Sequence, residues 1–133
     1  MRAVTDTFRD NLELLPDSVQ NLVKKNGIEP FFDEKSNPKI ISISHPLERP
    51  LAMAAKSVIV ASSGMLSGGA SVYYAQTLLE RENAAIFISG YTDEESPGRL
   101  LQNLQTGDTI ELDGKKVTVR AQIKRFHRER PCR

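Results

Sequence analysis

The sequence predicts an α/β domain of three layers: a mostly parallel, Rossmann-like sheet with helices on its faces and a β-hairpin at the carboxyl end. Three observations carry that prediction. Two short uncharged runs, Ser57-Val58-Ile59-Val60-Ala61 and Ala84-Ala85-Ile86-Phe87-Ile88-Ser89, have the composition of strands buried on both faces of a parallel sheet. Between them Val72, Ala75, Leu78 and Leu79 recur at helical spacing, so a helix with one apolar stripe links the strands as a βαβ unit. Finally, residues 107–119 alternate apolar and polar side chains around Asp113-Gly114, a hairpin signature.

In chain order, residues 3–15 read as a helix opened by Thr5, with Phe8, Leu12 and Leu15 on one face and Pro16 as its stop. A second helix starts near Asp17 or Ser18, buries Val19, Leu22 and Val23, carries Lys24 and Lys25 in its last turn and ends at Gly27. Ile28 to Pro38 holds two prolines around Phe31-Phe32 and reads as a loop pinned by that aromatic pair. Lys39 to Ser44 reads as the first strand, with His45 at its end between Pro46 and the strand. A lone histidine there serves either a site or a local hydrogen bond. After the central βαβ unit comes a loop over 90–99, a helix over 97–104, and the hairpin, whose second strand is expected to continue from Arg120 to Phe126. The organisation expected is a helical lead-in over 1–27, an α/β core over 28–106, a hairpin over 107–126 and a basic, unstructured tail over 127–133.

Composition narrows the function. The 133 residues suffice for one domain with one core. The net charge of +1 conceals an asymmetry: residues 115–133 carry eight Lys or Arg against Glu129 alone, a net of +7, while the first 114 residues have a net charge of −6. Such a tail suits a polyanion, and equally a solvated end. One cysteine, Cys132, excludes an intramolecular disulfide, and with His45 and His127 it cannot assemble a four-ligand zinc site from thiolate and imidazole. No apolar stretch is long enough to span a bilayer and no charged leader precedes an apolar core, so a cytoplasmic protein without a membrane partner is expected.

The stretch with chemical potential is Ser62-Ser63-Gly64-Met65-Leu66-Ser67-Gly68-Gly69, between a strand and a helix. Its glycines let the backbone bend and approach a ligand, its hydroxyls offer donors, and the helix start presents unpaired N–H groups with partial positive charge. Phosphate suits such a place. It lacks the Gly-Lys-Ser/Thr ending of a P-loop, the G-x-G-x-x-G spacing of dinucleotide sites and the G-x-S-x-G of a nucleophile elbow. A serine hydrolase built on Ser67 is therefore the weakest reading, and a plain strand-to-helix turn with Ser67 as cap stays open. The loop after the second strand, Gly90 to Arg99, leaves the same edge of the sheet, where α/β domains bind ligands, and Arg99 there can neutralise phosphate or serve as a surface charge. The acids Asp93, Glu94 and Glu95 would repel an anion unless turned away.

The order and spacing of Val58 to Leu66 with Ser67-Gly68-Gly69, then Ile86 to Tyr91, then Ser96-Pro97-Gly98-Arg99 resemble the β-CASP domain of metallo-β-lactamase-superfamily nucleases. That group includes ribonuclease J and the endonuclease that cleaves pre-messenger RNA before polyadenylation, with bacterial and cyanobacterial RNA-processing exonucleases the nearest in appearance. The resemblance implies that the chain is the carboxyl-terminal part of a β-CASP domain in a larger zinc-dependent hydrolase, with RNA entering a cleft against a metallo-β-lactamase domain that supplies the zinc ligands. It implies an RNA- and phosphate-binding surface at Ser63, Gly64, Ser67, Gly68, Gly69, Gly90, Tyr91, Gly98 and Arg99, and no catalytic or metal-binding residue in this chain. The H-x-H-x-D-H run is absent, and Phe126 is followed by His127-Arg128-Glu129-Arg130 rather than Ser-x-His-x-Asp, so His127 inherits no catalytic role. Expected partners are RNA, the metallo-β-lactamase domain of the same protein and, as a homodimer, a second copy. Two alternatives stand beside this: a free-standing nucleotide- or RNA-binding module whose basic tail adds salt-sensitive affinity, and a structural module in which the loops are only turns.

Overall fold

The computed structural model describes residues 2–26, 39–89 and 91–125, which divide into two compact units, Met1–Ser57 and Val58–Arg133. The described part mixes helices with strands, and its strands form one parallel and one antiparallel pair.

In the first unit, helix α1 spans Arg2–Asp10 and stops short of Pro16. Asn11 ends it: its backbone leaves helical angles, its N–H donates to the Phe8 carbonyl, and its side-chain amide donates to the Thr7 carbonyl at 2.8 Å. A short amide side chain competing with the backbone favours such an ending. The expected continuous helix to Leu15 is thus a helix followed by a 3-10 turn at Leu12–Leu14. Helix α2, Asp17–Asn26, carries Lys24 and Lys25 in its last turn as expected. Gln20 of α2 donates to the Glu13 and Leu15 carbonyls, tying the 3-10 turn to the helix. The apolar stripes bury little, since Phe8 and Leu22 stay exposed. The Gly27 stop and the Phe31-Phe32 loop lie outside the described residues.

The expected strand at 39–44 does not form. Ile40, Ile41 and Ile43 are exposed, because β-branched residues become a strand only when a neighbouring strand takes up their backbone groups, and none does so among the described residues. His45 has a local role. Its Nδ1 accepts from the Leu47 N–H at 3.3 Å, while the Glu48 carboxylate accepts from the Ser44 and His45 N–H groups at 2.7 and 3.0 Å. This reciprocal box caps the 3-10 turn Pro46–Glu48, which runs into helix α3, Arg49–Ala52.

All the buried residues among those described belong to the second unit. Residues 57–61 form no strand either: Val58 is 93% exposed and Val60 78%, which corrects their reading as a strand buried on both faces. The βαβ unit is therefore not closed at its first strand. The parallel pair instead joins β1, Ala85–Ile88, to β4, Gln122–Arg125, with Ala85 opposite Gln122 and Ile88 opposite Arg125. Strand β1 is buried on one face only, with Ile88 inside and Phe87 outside. Helix α4, Ala70–Leu78, packs Val72 and Ala75 inward, and Leu79 just beyond it is fully buried. Helix α5 spans Pro97–Leu101.

The hairpin forms as expected from β2, Thr109–Leu112, and β3, Lys115–Thr118. Asp113 and Gly114 turn at φ of 51° and 74°, the double left-handed geometry that makes Asp-Gly the favoured two-residue connection. The second hairpin strand does not run on to Phe126. At Arg120 and Ala121 both amides turn to the Leu79 carbonyl, at 2.7 and 2.9 Å, and the chain then crosses into the other sheet as β4. One core results, in which Leu66, Val72, Leu79, Ile88, Leu101, Leu112, Val117 and Val119 meet. A hydrogen bond of 2.7 Å from the Gln76 side chain to the Leu112 carbonyl ties α4 to the hairpin.

Candidate nucleic-acid interface

The first glycine-rich loop follows a peptide bond, Ser62-Ser63, that is cis. Ser63 folds the chain back: its Oγ accepts from the Met65 N–H at 3.1 Å and its carbonyl from the Leu66 N–H at 3.3 Å. Leu66 takes a left-handed φ of 55° and sinks its side chain into the core. A buried apolar anchor thus holds an otherwise polar loop, and Ser67, Gly68 and Gly69 emerge beyond it, exposed.

Those three residues lead straight into α4. The N-cap is Gly69, at φ 80°, and no side chain caps the helix start. Ser67 is therefore not the cap expected of a plain strand-to-helix turn. The Ser71 hydroxyl donates to the Gly68 carbonyl at 3.4 Å, and the Ser67, Gly68 and Gly69 amides have no protein acceptor among the described residues. An uncapped helix start beside exposed amides is electropositive and suits a phosphate oxygen.

The second loop is built from its own polar groups. Buried Thr92 accepts from the Gln102 side chain at 3.1 Å. The exposed Asp93 carboxylate accepts from the Glu95 N–H at 3.3 Å, and the Asp93 carbonyl accepts from the Ser96 N–H and hydroxyl. Ser96, buried, caps α5 by accepting from the Arg99 N–H at 3.3 Å, with Pro97 in the first turn. The sequence singled out Ser96 only within the Ser96-Pro97-Gly98-Arg99 run and gave it no role of its own, and nothing local marked Thr92.

The two loops meet. The Gly98 N–H donates to the Met65 carbonyl at 2.8 Å, and Gly98 is buried against Gly64. A methyl group there would overlap the Gly64 carbonyl oxygen and lie 3.1 Å from the Met65 carbonyl carbon. Gly64 itself stands by the end of β1, near Ile88 and Ser89. The structure thus sets Gly98 against Gly64 and Met65, while Ser63 is bonded within the first loop and the Arg99 amide within the second. Tyr91 is 79% exposed, Arg99 is half-buried, and Gly90 lies outside the described residues. The amides of Glu95, Ser96, Gly98 and Arg99 are bonded within the protein, so Gly98 has no donor left for a ligand.

Among the described residues no three His, Cys, Asp or Glu side chains gather where they could hold a metal ion, so these residues do not fit zinc. Ser67 has no histidine in the described part of its own unit, since His45 belongs to the other unit and His127 lies outside the described residues. A separate open cleft of about 360 Å³, lined by Leu104, Thr106, Gln122 and Lys124 among others, contains none of the loop residues.

With this geometry in place, comparison with known proteins gives the family. The sequence pattern of the Beta-Casp domain matches residues 1–101, well over half of the chain, and the chain belongs to that family. It is similar to the RNase aCSPSF2 of Saccharolobus solfataricus, 43% identical over 67 residues, half of this chain and 13% of that protein. It is also similar to the transcription termination factor FttA of Pyrococcus horikoshii, 34% identical over 92 residues, and of Methanococcus maripaludis, 31% over 90, each match covering 68% of this chain. The chain spans only 13–14% of the length of these curated relatives. The family pattern stops at residue 101, yet Leu112, Val117 and Val119 of the hairpin share a core with Leu79 and Leu101.

Proposed function

We propose that this chain is the RNA-binding part of a zinc-dependent RNA-processing nuclease, its loops at 62–69 and 90–99 holding the phosphate backbone while hydrolysis takes place on a metallo-β-lactamase domain. The observation that carries the reading is the uncapped start of α4, with the exposed Ser67, Gly68 and Gly69 beside it, buttressed by the second loop. Phosphate contacts of this kind position a strand without reading its bases. Family membership and the names of the relatives, an RNase and a termination factor, agree with it. Ser63, Gly64, Ser67, Gly68, Gly69, Gly90, Tyr91 and Arg99 form the contact surface, and Gly98 supports it from behind. On the same reading residues 1–126 are the carboxyl-terminal part of a β-CASP domain, 39–44 and 57–61 become strands of a three-layer, mostly parallel sheet once neighbouring strands are supplied, and the protein works in the cytoplasm, trimming RNA as an exonuclease. No helix among the described residues is long and apolar enough to cross a membrane.

The test is titration of the chain with a fluorescent single-stranded RNA at several salt concentrations. Affinity that falls with salt, and an Arg99→Ala variant whose log–log salt slope is shallower by about 1, support the reading. No affinity at low salt refutes it, and zinc-dependent RNase activity of the pure chain contradicts the division of roles. Light scattering of the same sample reports whether the homodimer forms.

A further inference from the structure

We infer that Gly98 is a positioning residue, whose missing side chain and committed amide set the path of the 62–69 loop and so the place where RNA phosphate is held. The inference rests on the RNA-binding reading of that loop. Two facts carry it. The Gly98 N–H is spent on the Met65 carbonyl, so its contribution to a ligand is indirect. Its Cα also sits where any side chain would meet two backbone groups of the first loop, the Gly64 carbonyl oxygen and the Met65 carbonyl carbon. Neither is the end of a flexible side chain that could swing aside, so a methyl group moves the loop backbone itself.

The displacement has a direction along the chain. Leu66, locked in the core, follows Met65 immediately, and Ser67, Gly68 and Gly69 follow Leu66. A shift at Gly64 and Met65 therefore pivots about a fixed side chain and is passed on to the exposed amides beyond it. On the other side, Gly98 is held in place by Ser96, whose hydroxyl donates to the Asp93 carbonyl at 2.7 Å and caps the first turn of α5. Ser96 thus belongs to the same device, one step further from the ligand.

The experiment compares the full chain with Gly98→Ala in two measurements: RNA affinity across salt concentration, and the amide resonances of Ser67, Gly68 and Gly69. The expected result is a loss of affinity of about tenfold or more with an unchanged salt slope, because no charge is removed, together with displaced resonances for those three residues. A folded Gly98→Ala protein with wild-type affinity overturns the inference and leaves the RNA-binding reading intact. If the wild-type chain binds no RNA, that reading fails, and the resonances alone decide: displacement of Ser67 to Gly69 sustains the positioning role, and a change confined to Gly64 and Met65 overturns it. Should Gly98→Ala not fold, Ser96→Ala is expected to displace the same resonances and Ser96→Thr, which keeps the hydroxyl, to restore them; unmoved resonances in Ser96→Ala overturn the inference.

Discussion

Replacing Leu101 by alanine, and separately its neighbour Leu100, separates the buried from the exposed face of the short helix that carries Arg99. Leu101 is completely buried in the core of the second unit, whereas Leu100 is 52% exposed. Removing a fully buried leucine side chain costs about 2–5 kcal/mol, the lost transfer energy plus the cavity that remains. Leu100 forfeits less than half of the roughly 1.5–3 kcal/mol that complete burial provides, about 1 kcal/mol or less, and leaves no cavity. With a urea dependence of about 1–3 kcal/mol per molar, a difference of ~2 kcal/mol separates the two unfolding midpoints by about 1 M. All three tyrosines, Tyr73, Tyr74 and Tyr91, lie in the second unit and the chain has no tryptophan, so intrinsic tyrosine fluorescence reports on this core. Equal midpoints for the two variants would refute the assignment of Leu101 to the core and with it the placement of α5 against the first loop.

Gly114→Val is expected to destabilise the second unit by about 1–2 kcal/mol, because a β-branched residue is forced into a left-handed φ; thermal melting of the variant checks it. Gln76→Ala, which strips the Leu112 carbonyl of its side-chain donor, is expected to cost about 1 kcal/mol by urea titration. Removing residues 126–133 deletes Arg128, Arg130 and Arg133 against Glu129 and is expected to weaken RNA binding most at low salt while leaving the tyrosine-monitored midpoint unchanged. A cut at residue 120 is expected to unfold the second unit, since it removes β4 and the two amides that bond to Leu79.

What was legible in the sequence was local. Asp113-Gly114 between alternating residues specified its hairpin because the turn needs only backbone angles that these two residues tolerate. The apolar spacing of Val72, Ala75 and Leu79 likewise gave the helix after the glycine-rich loop, while the helix expected over 97–104 ends at Leu101. The family resemblance was carried by the same two loops. The runs at 39–44 and 57–61 behaved otherwise: their composition states a preference for strand, while the ladder that satisfies it must come from another segment.

Tertiary structure alone decided three things. It moved the end of the hairpin into the other sheet, because the Leu79 carbonyl takes the amides of Arg120 and Ala121 and breaks the run that alternation predicted. It made Asn11 rather than Pro16 the end of the first helix, through a side-chain hydrogen bond that spacing does not reveal. It also separated the glycines by role, leaving Gly68 and Gly69 open at a helix start and spending Gly98 on contact with the neighbouring loop. Composition says that a glycine has no side chain; only the atoms packed around it say whether the vacated space admits a ligand or another stretch of backbone.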